Sequence, residues 1–321
     1  MRTIILILAL LVPRDTLSVM FWNVENFFDW RNDSTTVSDL EFSPAGERHW
    51  TWKRFQAKAN AFAKALFWTE GETGRLPDIV GLEEVENSFV LRQVLTKTAL
   101  RKTDYKYVHY DSPDHRGIDV ALLYRASALE LVDSKPCHLY VADTVMASRD
   151  ILLCVFRRVT PGLTGSLPDE PSFAVLVNHH PSKYGGAAES EPRRRVAVER
   201  LRFLADSLAA IGIDRIIAGG DFNDTPDNPV FRLLEPALTP LHMDLHRRGQ
   251  GTIKYDGKWD LIDHIYVSPG WRNPSMRILR IPFLLTRDNV HSGEKPLRTY
   301  TGPRHTAGVS DHLPVLLDVA I

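Results

Sequence analysis

The chain has 321 residues and a nearly balanced charge, with 39 Lys and Arg against 40 Asp and Glu. A protein with this charge balance is not steered to polyanions by its net charge. The balance neither proves nor excludes a nucleic-acid substrate. No Pro-rich or Gly/Ser linker, low-complexity tract or fixed-period repeat interrupts the chain. We therefore predict a single domain over residues 17–321.

The chain begins with one Arg and an unbroken apolar stretch from Ile4 to Val12. The stretch is too short to cross a bilayer but is typical of the hydrophobic region of an export signal. We predict an export segment over residues 1–16 and a periplasmic or secreted protein without stable membrane insertion; an extra strand in a cytoplasmic protein is the alternative. Cys137 and Cys154 could pair in an oxidising compartment or stay separate buried thiols.

Apolar runs that predict strands alternate with a few amphipathic helices. The predicted strands are Leu17–Val24, Ile79–Leu82, Tyr105–Tyr110, Ile118–Arg125, Ile151–Arg158, Phe173–Val177, Arg215–Ile217, Trp259–Ser268 and Leu313–Val319. The predicted helices are Lys53–Trp68, Asn87–Leu100 and Glu191–Ala210. Since strands outnumber helices, we expect two packed sheets with helices outside rather than one doubly wound sheet.

Polar residues stand where several of these strands end. In AGGDFNDTP, residues 218–226, Asp221 and Asn223 are two apart, so an extended backbone points both to one side. The pair could hold a hard cation, align a water and bind a phosphoryl oxygen. The structural alternative is an Asx turn that caps the next helix. Asn23 and Glu25 repeat the two-residue spacing.

Acids also occur at less accessible positions. Glu83 and Glu84 are adjacent on a predicted strand, so at most one should reach a common site. Asp119 lies within the apolar run IDVALLYR, where a carboxylate is costly unless it is paired. Asp263 lies in the middle of the predicted strand Trp259–Ser268.

The motifs WNVEN, GLEEVEN, RGIDVALLY, NHHPSK, GGDFND, LIDHIYVS and SDHLPV occur in this order along the chain. From about Ser18 onwards the sequence resembles the endonuclease/exonuclease/phosphatase superfamily, and within it a bacterial, often exported, subgroup. The resemblance implies an α/β fold, a four-layer α/β/β/α sandwich in which helices flank two mixed β-sheets. The site should lie at one edge, where strand ends from both sheets meet.

The resemblance also implies roles for individual residues. Glu84 is expected to be the principal metal carboxylate, helped by Asn23 and Asp311. Glu25 stands where relatives often carry Asp, and its longer arm argues against direct metal contact. The residues expected to be catalytic are Asp221 and Asn223, which would align the water and bind the phosphate, and the histidines His312, oriented by Asp263, and His179.

Three further expectations concern partners of these groups. Asp119 is predicted to orient His179, as a strand carboxylate does in relatives of the deoxyribonuclease type. Arg116 and Lys183 are candidate phosphate contacts, although a loop Arg or Lys is normally solvated.

Hydrolysis of a phosphoester needs charge neutralised on the non-bridging oxygens, and Mg²⁺ or Mn²⁺ held by oxygen ligands supplies this. We therefore predict a divalent-metal-dependent phosphoester hydrolase, with a phosphodiesterase or nuclease as first choice. The substrate is a phosphate ester that could be a nucleic acid, and no protein partner is predicted. The alternatives are a lipid phosphodiesterase, which should show an exposed apolar hairpin or tail that the sequence does not clearly contain, a phosphomonoesterase and a phosphate-binding module.

Overall fold

The structure is a computed structural model that describes residues 16–32, 36–159, 165–166, 171–183 and 186–321. Residues 1–15 of the predicted export segment lie outside the described residues, so export stays a prediction. Within the described part, no helix has the length and apolar character that a membrane span requires.

The described residues form twenty strands and five α-helices. The strands are β1 Thr16–Phe27, β2 Ile79–Val85, β3 Tyr105–His109, β4 Asp119–Arg125, β5 Leu129–Cys137, β6 Tyr140–Val141, β7 Thr144–Val145, β8 Ile151–Arg158, β9 Phe173–His179, β10 Ile216–Asp221, β11 Thr239–Pro240, β12 Ile253–Tyr255, β13 Lys258–Asp260, β14 Asp263–Val267, β15 Arg272–Ile278, β16 Leu285–Arg287, β17 Glu294–Pro296, β18 Tyr300–Thr301, β19 Arg304–His305 and β20 Val315–Ala320. The α-helices are α1 Val37–Glu41, α2 Trp52–Thr73, α3 Ser88–Lys97, α4 Ala187–Ala210 and α5 Met243–Arg247. Short 3₁₀ turns occupy Ala99–Lys102, Pro229–Leu234 and Pro282–Leu284.

Two six-stranded mixed sheets form the centre of the fold. Sheet I has the strand order β15-β20-β1-β2-β4-β3, and sheet II has the order β11-β14-β10-β9-β8-β5. In each sheet one pair is parallel, β1 with β2 and β9 with β10, while the other neighbours are antiparallel. The parallel strands are covered on both faces, which explains why their sequences are almost continuously apolar.

Three apolar clusters define four layers. The inner cluster joins the sheets through residues such as Phe21 of β1 and Val175 of β9. An outer cluster packs α2, with Phe55 and Phe62, against sheet I. The other outer cluster packs α4, with Leu201, against sheet II. The order helix, sheet, sheet, helix confirms the predicted four-layer α/β/β/α sandwich.

One local expectation differs from the structure. The run Trp259–Ser268 is divided between β13 and β14, and Asp263 begins β14 instead of lying mid-strand. The break places Asp263 directly across from Asp221 at the edge of sheet II. Cys137 and Cys154 are both buried and free.

Candidate active site

The polar residues singled out in the sequence gather at one edge of the two sheets. In sheet I, β1 and β2 run parallel and carry Asn23 and Glu84 towards this edge. In sheet II, the parallel strands β9 and β10 end in His179 and Asp221. Because strands that run parallel deliver their carboxyl ends to the same edge, residues distant in sequence become neighbours.

The double glycine before Asp221 permits this close approach. A Cβ on Gly219 would lie 2.4 Å from the ring of Phe21, which fills the space between the sheets. Gly220 has φ +128°, and a Cβ there would lie 2.1 Å from the carbonyl oxygen of Asn178. A side chain at position 219 would therefore push the sheets apart, and one at position 220 would collide with the backbone of the neighbouring strand β9.

Several site residues adopt the left-handed backbone conformation that side chains other than glycine disfavour. Glu25, Asn26, Glu84 and Asn223 have φ values of +46°, +48°, +65° and +52°. Such residues cost free energy and persist only where the surroundings hold them. The strand ends at the site therefore depart from regular pleating, and this departure sets the directions of the site side chains.

Asp221 is the most closely surrounded carboxylate of the site. Its Oδ2 accepts hydrogen bonds from Asn23 Nδ2 at 3.0 Å and Asn223 Nδ2 at 3.2 Å, and its Oδ1 accepts from the Asn223 backbone N–H at 2.8 Å. The same Oδ2 lies 3.6 Å from His179 Nε2 and 3.9 Å from His312 Nε2. Two amides thus fix Asp221 between two imidazoles.

His312 is oriented by Asp263, as the resemblance implied. Its Nδ1 lies 3.2 and 2.9 Å from the two oxygens of Asp263, and both side chains are buried. Asp263 Oδ2 also accepts a short hydrogen bond from Thr252 Oγ1. The ring is thereby held with Nε2 towards Asp221.

The charges of this group are coupled. Burial alone would lower the pKa of His312, but the negative charges of Asp263 and Asp221 outweigh it and raise that pKa well above the usual value. Burial, opposed by His312 and assisted by Asp263, raises the pKa of Asp221 to about 7. The site therefore pairs a cationic imidazole with a carboxylate able to exchange a proton near neutral pH.

His179 is in the opposite electrostatic situation. Burial and then the positive charges of Arg149 and Arg116 lower its pKa well below the usual value, so the ring is neutral. Its Nε2 lies 3.9 Å from Glu84 Oε1 as well as near Asp221, and its Nδ1 has no hydrogen-bond partner.

The predicted pairing of Asp119 with His179 is wrong. Asp119 begins β4, and its Oδ2 lies 3.1 Å from Nε2 of His109 on the neighbouring outer strand β3, while its Oδ1 accepts from the Ser112 backbone N–H. The carboxylate meets a nearer imidazole on its own sheet, which leaves His179 Nδ1 unpaired.

The other predicted metal residues lie around Glu84. Glu84 Oε2 accepts from the Asn26 backbone N–H at 2.7 Å, and Oε1 lies 3.4 Å from Asn23 Nδ2. The Asn23 amide oxygen accepts from the Glu25 backbone N–H, so in this arrangement its nitrogen bridges Glu84 and Asp221. Asp311 Oδ1 lies 4.0 Å from His312 Nε2.

The donor chemistry fits a hard divalent cation. Glu84 and Asp311 supply carboxylate oxygens and Asn23 carries an amide oxygen, which are the ligands that Mg²⁺ and Mn²⁺ prefer, whereas both oxygens of Glu25 are bonded to Arg298 and to the Thr299 N–H. Ligand atoms of Asp221, Asp263 and His312 also lie within 4.8 Å of one another. Because Nδ1 of His312 is already bonded to Asp263, we interpret that second group as a hydrogen-bonded chain.

Three residues of the site were not identified from the sequence. Glu83 was expected to point away, but the left-handed Glu84 breaks the alternation, and Glu83 lies fully buried with both oxygens unpartnered. Burial, and then Asp263 and Asp221, raise its pKa well above the usual value. Lys58 and Arg298 are the others.

Lys58 is a buried cation on α2. Its Nζ donates to the Glu25 carbonyl oxygen in a short hydrogen bond and to Thr299 Oγ1 at 2.8 Å. Its position in the sequence, three residues after Phe55 and four before Phe62, places it on the inward face of the predicted helix, a signal that could have identified it.

Arg298 precedes β18 and contacts two carboxylates. Its Nε donates to Glu25 Oε1 at 3.1 Å and its Nη2 lies 2.9 Å from Asp311 Oδ2. It occurs in an irregular polar segment whose sequence carries no periodic signal.

The two candidate phosphate contacts have different environments. Arg116 lines a cavity of about 560 Å³ together with Glu25 and Arg298, beside the site. Lys183 is exposed and lies 2.6 Å from Asp224, so its charge is already compensated.

A buried carboxylate between two imidazoles, one of them bonded to a second carboxylate, and a set of oxygen ligands at one sheet edge are typical of a phosphoester-hydrolase site. Comparison with known proteins agrees: the sequence model described as the Endonuclease/Exonuclease/phosphatase family matches residues 18–321. The chain belongs to this family, whose members are metal-dependent hydrolases of phosphoester bonds. Membership of this family favours an enzyme over the alternative of a non-enzymatic phosphate-binding module. No curated protein matches the chain.

Solved structures with the same fold are distant in sequence. The human Nocturnin catalytic domain with bound sulfate is 18% identical, with a TM-score of 0.57 over 96% of this chain and 95% of that one. A Bacteroides thetaiotaomicron mannosyl-6-phosphatase is 17% identical, with a TM-score of 0.59 over 95% and 100%. D. rerio TDP2 in complex with a single-strand DNA product is 14% identical, with a TM-score of 0.56 over 95% and 99%. At these identities the likeness concerns the fold alone.

Proposed function

We propose that the protein hydrolyses phosphodiesters, with a nucleic acid as the first candidate substrate. The observation that carries the proposal is the position of Asp221. Asn23 and Asn223 fix its carboxylate between His312 and His179. The same Asn23 amide nitrogen also lies 3.4 Å from Glu84. A carboxylate so placed can take a proton from a water directed at a phosphorus atom.

Each side chain has a distinct part in this reaction. Asp221 accepts the proton of the attacking water, and Asn223 keeps the carboxylate in its orientation. His312, held cationic by Asp263, stabilises negative charge that develops on the phosphoryl oxygens. His179 is neutral and contributes Nε2 to the same space.

The metal ligands belong to the same proposal. Glu84, with Asn23 and Asp311, would hold the divalent ion, Mg²⁺ or Mn²⁺. When bound, such an ion neutralises charge on the phosphoryl oxygen. The residues around Asp221 then orient the attacking water and stabilise the negative charge that develops on the phosphoryl oxygens.

Cavities on both sides of the site favour a diester over a monoester. The cavity of about 560 Å³ that adjoins Glu25 shares Arg116 with a cavity of about 350 Å³ and Arg298 with one of about 710 Å³. The last cavity is also lined by Arg287 and Arg304. Arginines on both sides suit a substrate that continues beyond the scissile phosphate in two directions and carries further phosphates.

A lipid phosphodiester is the second candidate, because the structure contains the kind of exposed apolar hairpin that this function requires. Tyr140, Val141 and Val145 of the β6–β7 hairpin are exposed, Val141 to 52%. Two residues further on, Ala147 lines the same cavity as Arg116. A choline-lipid substrate is therefore assayed together with nucleic acid.

The test is a substrate panel run with Mg²⁺ or Mn²⁺ on wild type and Asp221→Asn. We expect release of acid-soluble nucleotide from DNA or RNA, at least tenfold slower hydrolysis of a phosphomonoester, and loss of both in the variant. Preferential hydrolysis of a choline lipid would select the second candidate. Faster turnover of the monoester than of every diester would contradict the proposal.

A further inference from the structure

Arg298 lies where the carboxylates of the metal centre converge. Its guanidinium contacts Glu25 through Nε at 3.1 Å and Asp311 through Nη2 at 2.9 Å. The adjacent Thr299 backbone N–H donates to the other Glu25 oxygen at 2.7 Å. Both oxygens of Glu25 and one oxygen of Asp311 are thus occupied by the chain's own donors.

The arrangement is more than a surface ion pair. Glu25 is buried, while the guanidinium is half-exposed and lines both the 560 and the 710 Å³ cavities. Arg298 therefore presents its charge to the same space that a substrate phosphate would enter. A planar guanidinium can span two carboxylates in fixed geometry, as a lysine cannot.

Charge counting indicates how many further cations the centre needs. Glu25, Glu84 and Asp311 are three carboxylates; Arg298 contacts two of them, and the buried cation Lys58 donates to the backbone carbonyl oxygen of Glu25. A single divalent ion changes the balance of these five side chains from net negative to net positive. A second divalent ion would have to share Glu25 and Asp311 with a fixed guanidinium, and like charges at such distances repel.

We propose that Arg298 takes the place of a second divalent ion, so that this centre binds one ion, held by Glu84 with Asn23 and Asp311. The proposal rests on the proposed function only in using the same metal ligands. Nothing in it depends on which ester is hydrolysed.

The backbone and the side-chain length of Glu25 give the arrangement a structural basis. The left-handed backbone at Glu25 and its two methylenes carry the carboxylate to Arg298 and the Thr299 N–H. Glu25 thus serves as the anchor of the guanidinium.

The experiment counts bound Mn²⁺ by isothermal titration calorimetry on the metal-free full chain, checked by electron paramagnetic resonance of the free ion. We expect one Mn²⁺ per wild-type chain and two per Arg298→Gln chain, because the variant frees Glu25 and Asp311. Arg298→Lys cannot span both carboxylates but retains the positive charge that repels a second ion, and it is expected to bind one. Arg304→Gln removes an arginine from the same cavity that contacts neither carboxylate, and it should also bind one.

Two ions on the wild type would overturn the proposal without reference to any variant. A folded Arg298→Gln protein, verified by circular dichroism, that binds one ion with unchanged affinity would overturn it as well. Diester hydrolysis measured on the same samples separates the two proposals. One bound ion without hydrolysis contradicts the proposed function alone, whereas hydrolysis with two bound ions contradicts the role of Arg298 alone.

Discussion

Two buried histidine–aspartate pairs lie at the ends of strands in this molecule, and they differ in what faces the second ring nitrogen. His312 is bonded to Asp263 at 2.9 Å and His109 to Asp119 at 3.1 Å. Each pair belongs to a group of three side chains whose ligand atoms lie within 4.8 Å of one another. The third member is buried Asp221 for His312, but Asp111, which is 92% exposed, for His109.

The comparison indicates that the surroundings of a carboxylate-oriented imidazole, and not the pairing alone, distinguish a candidate catalytic group. Both pairs satisfy the same hydrogen-bonding need of a buried polar side chain. Only the His312 pair lies where the two sheets meet, with a second carboxylate and the metal ligands on its free side. We therefore expect chemistry from one pair and stability from the other.

The largest expected effect comes from replacing the histidine of the active pair. His312→Gln should lower kcat/KM for a phosphodiester on the order of 10³-fold, because a positioned cationic imidazole is lost. The matched control His109→Gln should keep turnover within about threefold, since general acid–base effects require contact with the reacting group. Steady-state kinetics on both variants provide the measurement, and equal losses would show that the two pairs do not differ in function.

A smaller effect is expected from the two aspartates. Asp263→Asn should reduce turnover about 10²-fold, as is typical for a residue that orients a functional histidine. Asp119→Asn should leave turnover nearly unchanged but lower the free energy of unfolding by about 1–3 kcal/mol, because a buried ionic hydrogen bond is weakened. Urea denaturation and kinetics together distinguish these outcomes. A stable Asp119→Asn variant with severely reduced turnover would instead support the predicted pairing of Asp119 with His179.

The smallest effect concerns a third environment for histidine, the aromatic core beside β10. Burial lowers the pKa of His180, which packs 4.4 Å from the Phe222 ring, to about 3, and that of His242 also to about 3. Because the unfolded chain takes up these protons below about pH 6.5, each contributes stability that is lost as pH falls from about 6.5 towards 3.

This loss amounts to on the order of 1–2 kcal/mol per histidine at pH 5. Buried acids such as Glu25, whose pKa burial and then Asp311 raise to about 7, act in the opposite direction, so the comparison between variants is the informative quantity. His180→Phe should reduce the difference in free energy of unfolding between pH 7 and pH 5, whereas His115→Gln, at an exposed position, should not. An unchanged difference in His180→Phe would show that this ring is protonated in the folded protein.

The sequence was sufficient for the architecture because its signals are local. The apolar run of β10 and the glycines before Asp221 predict a strand end, and the order of the motifs implied two mixed sheets. The pairing of Asp119 could not be predicted in the same way. A buried carboxylate requires a partner, but the choice between His109 and His179 depends on which strand is its neighbour.

Backbone irregularity limited the prediction of the site in a second way. The alternation rule assigned Glu83 and Glu84 to opposite faces, and the left-handed conformation of Glu84 breaks that rule. Arg298 belongs to a polar segment between short strands, where no periodic pattern indicates which side chain turns inward. Such positions are fixed by contacts between distant parts of the chain.

The central claim is that the Glu84, Asp221 and His312 edge is a metal-dependent phosphodiesterase centre. It is tested most directly by the hydrolysis of bis(p-nitrophenyl) phosphate after chelation and after return of Mn²⁺, on wild type and Glu84→Gln. We expect the wild type to lose activity on chelation and regain it with Mn²⁺, while Glu84→Gln needs at least tenfold more Mn²⁺ for half-maximal activity. Full activity of the chelated wild type, or an unaltered Mn²⁺ requirement in Glu84→Gln, would contradict the account.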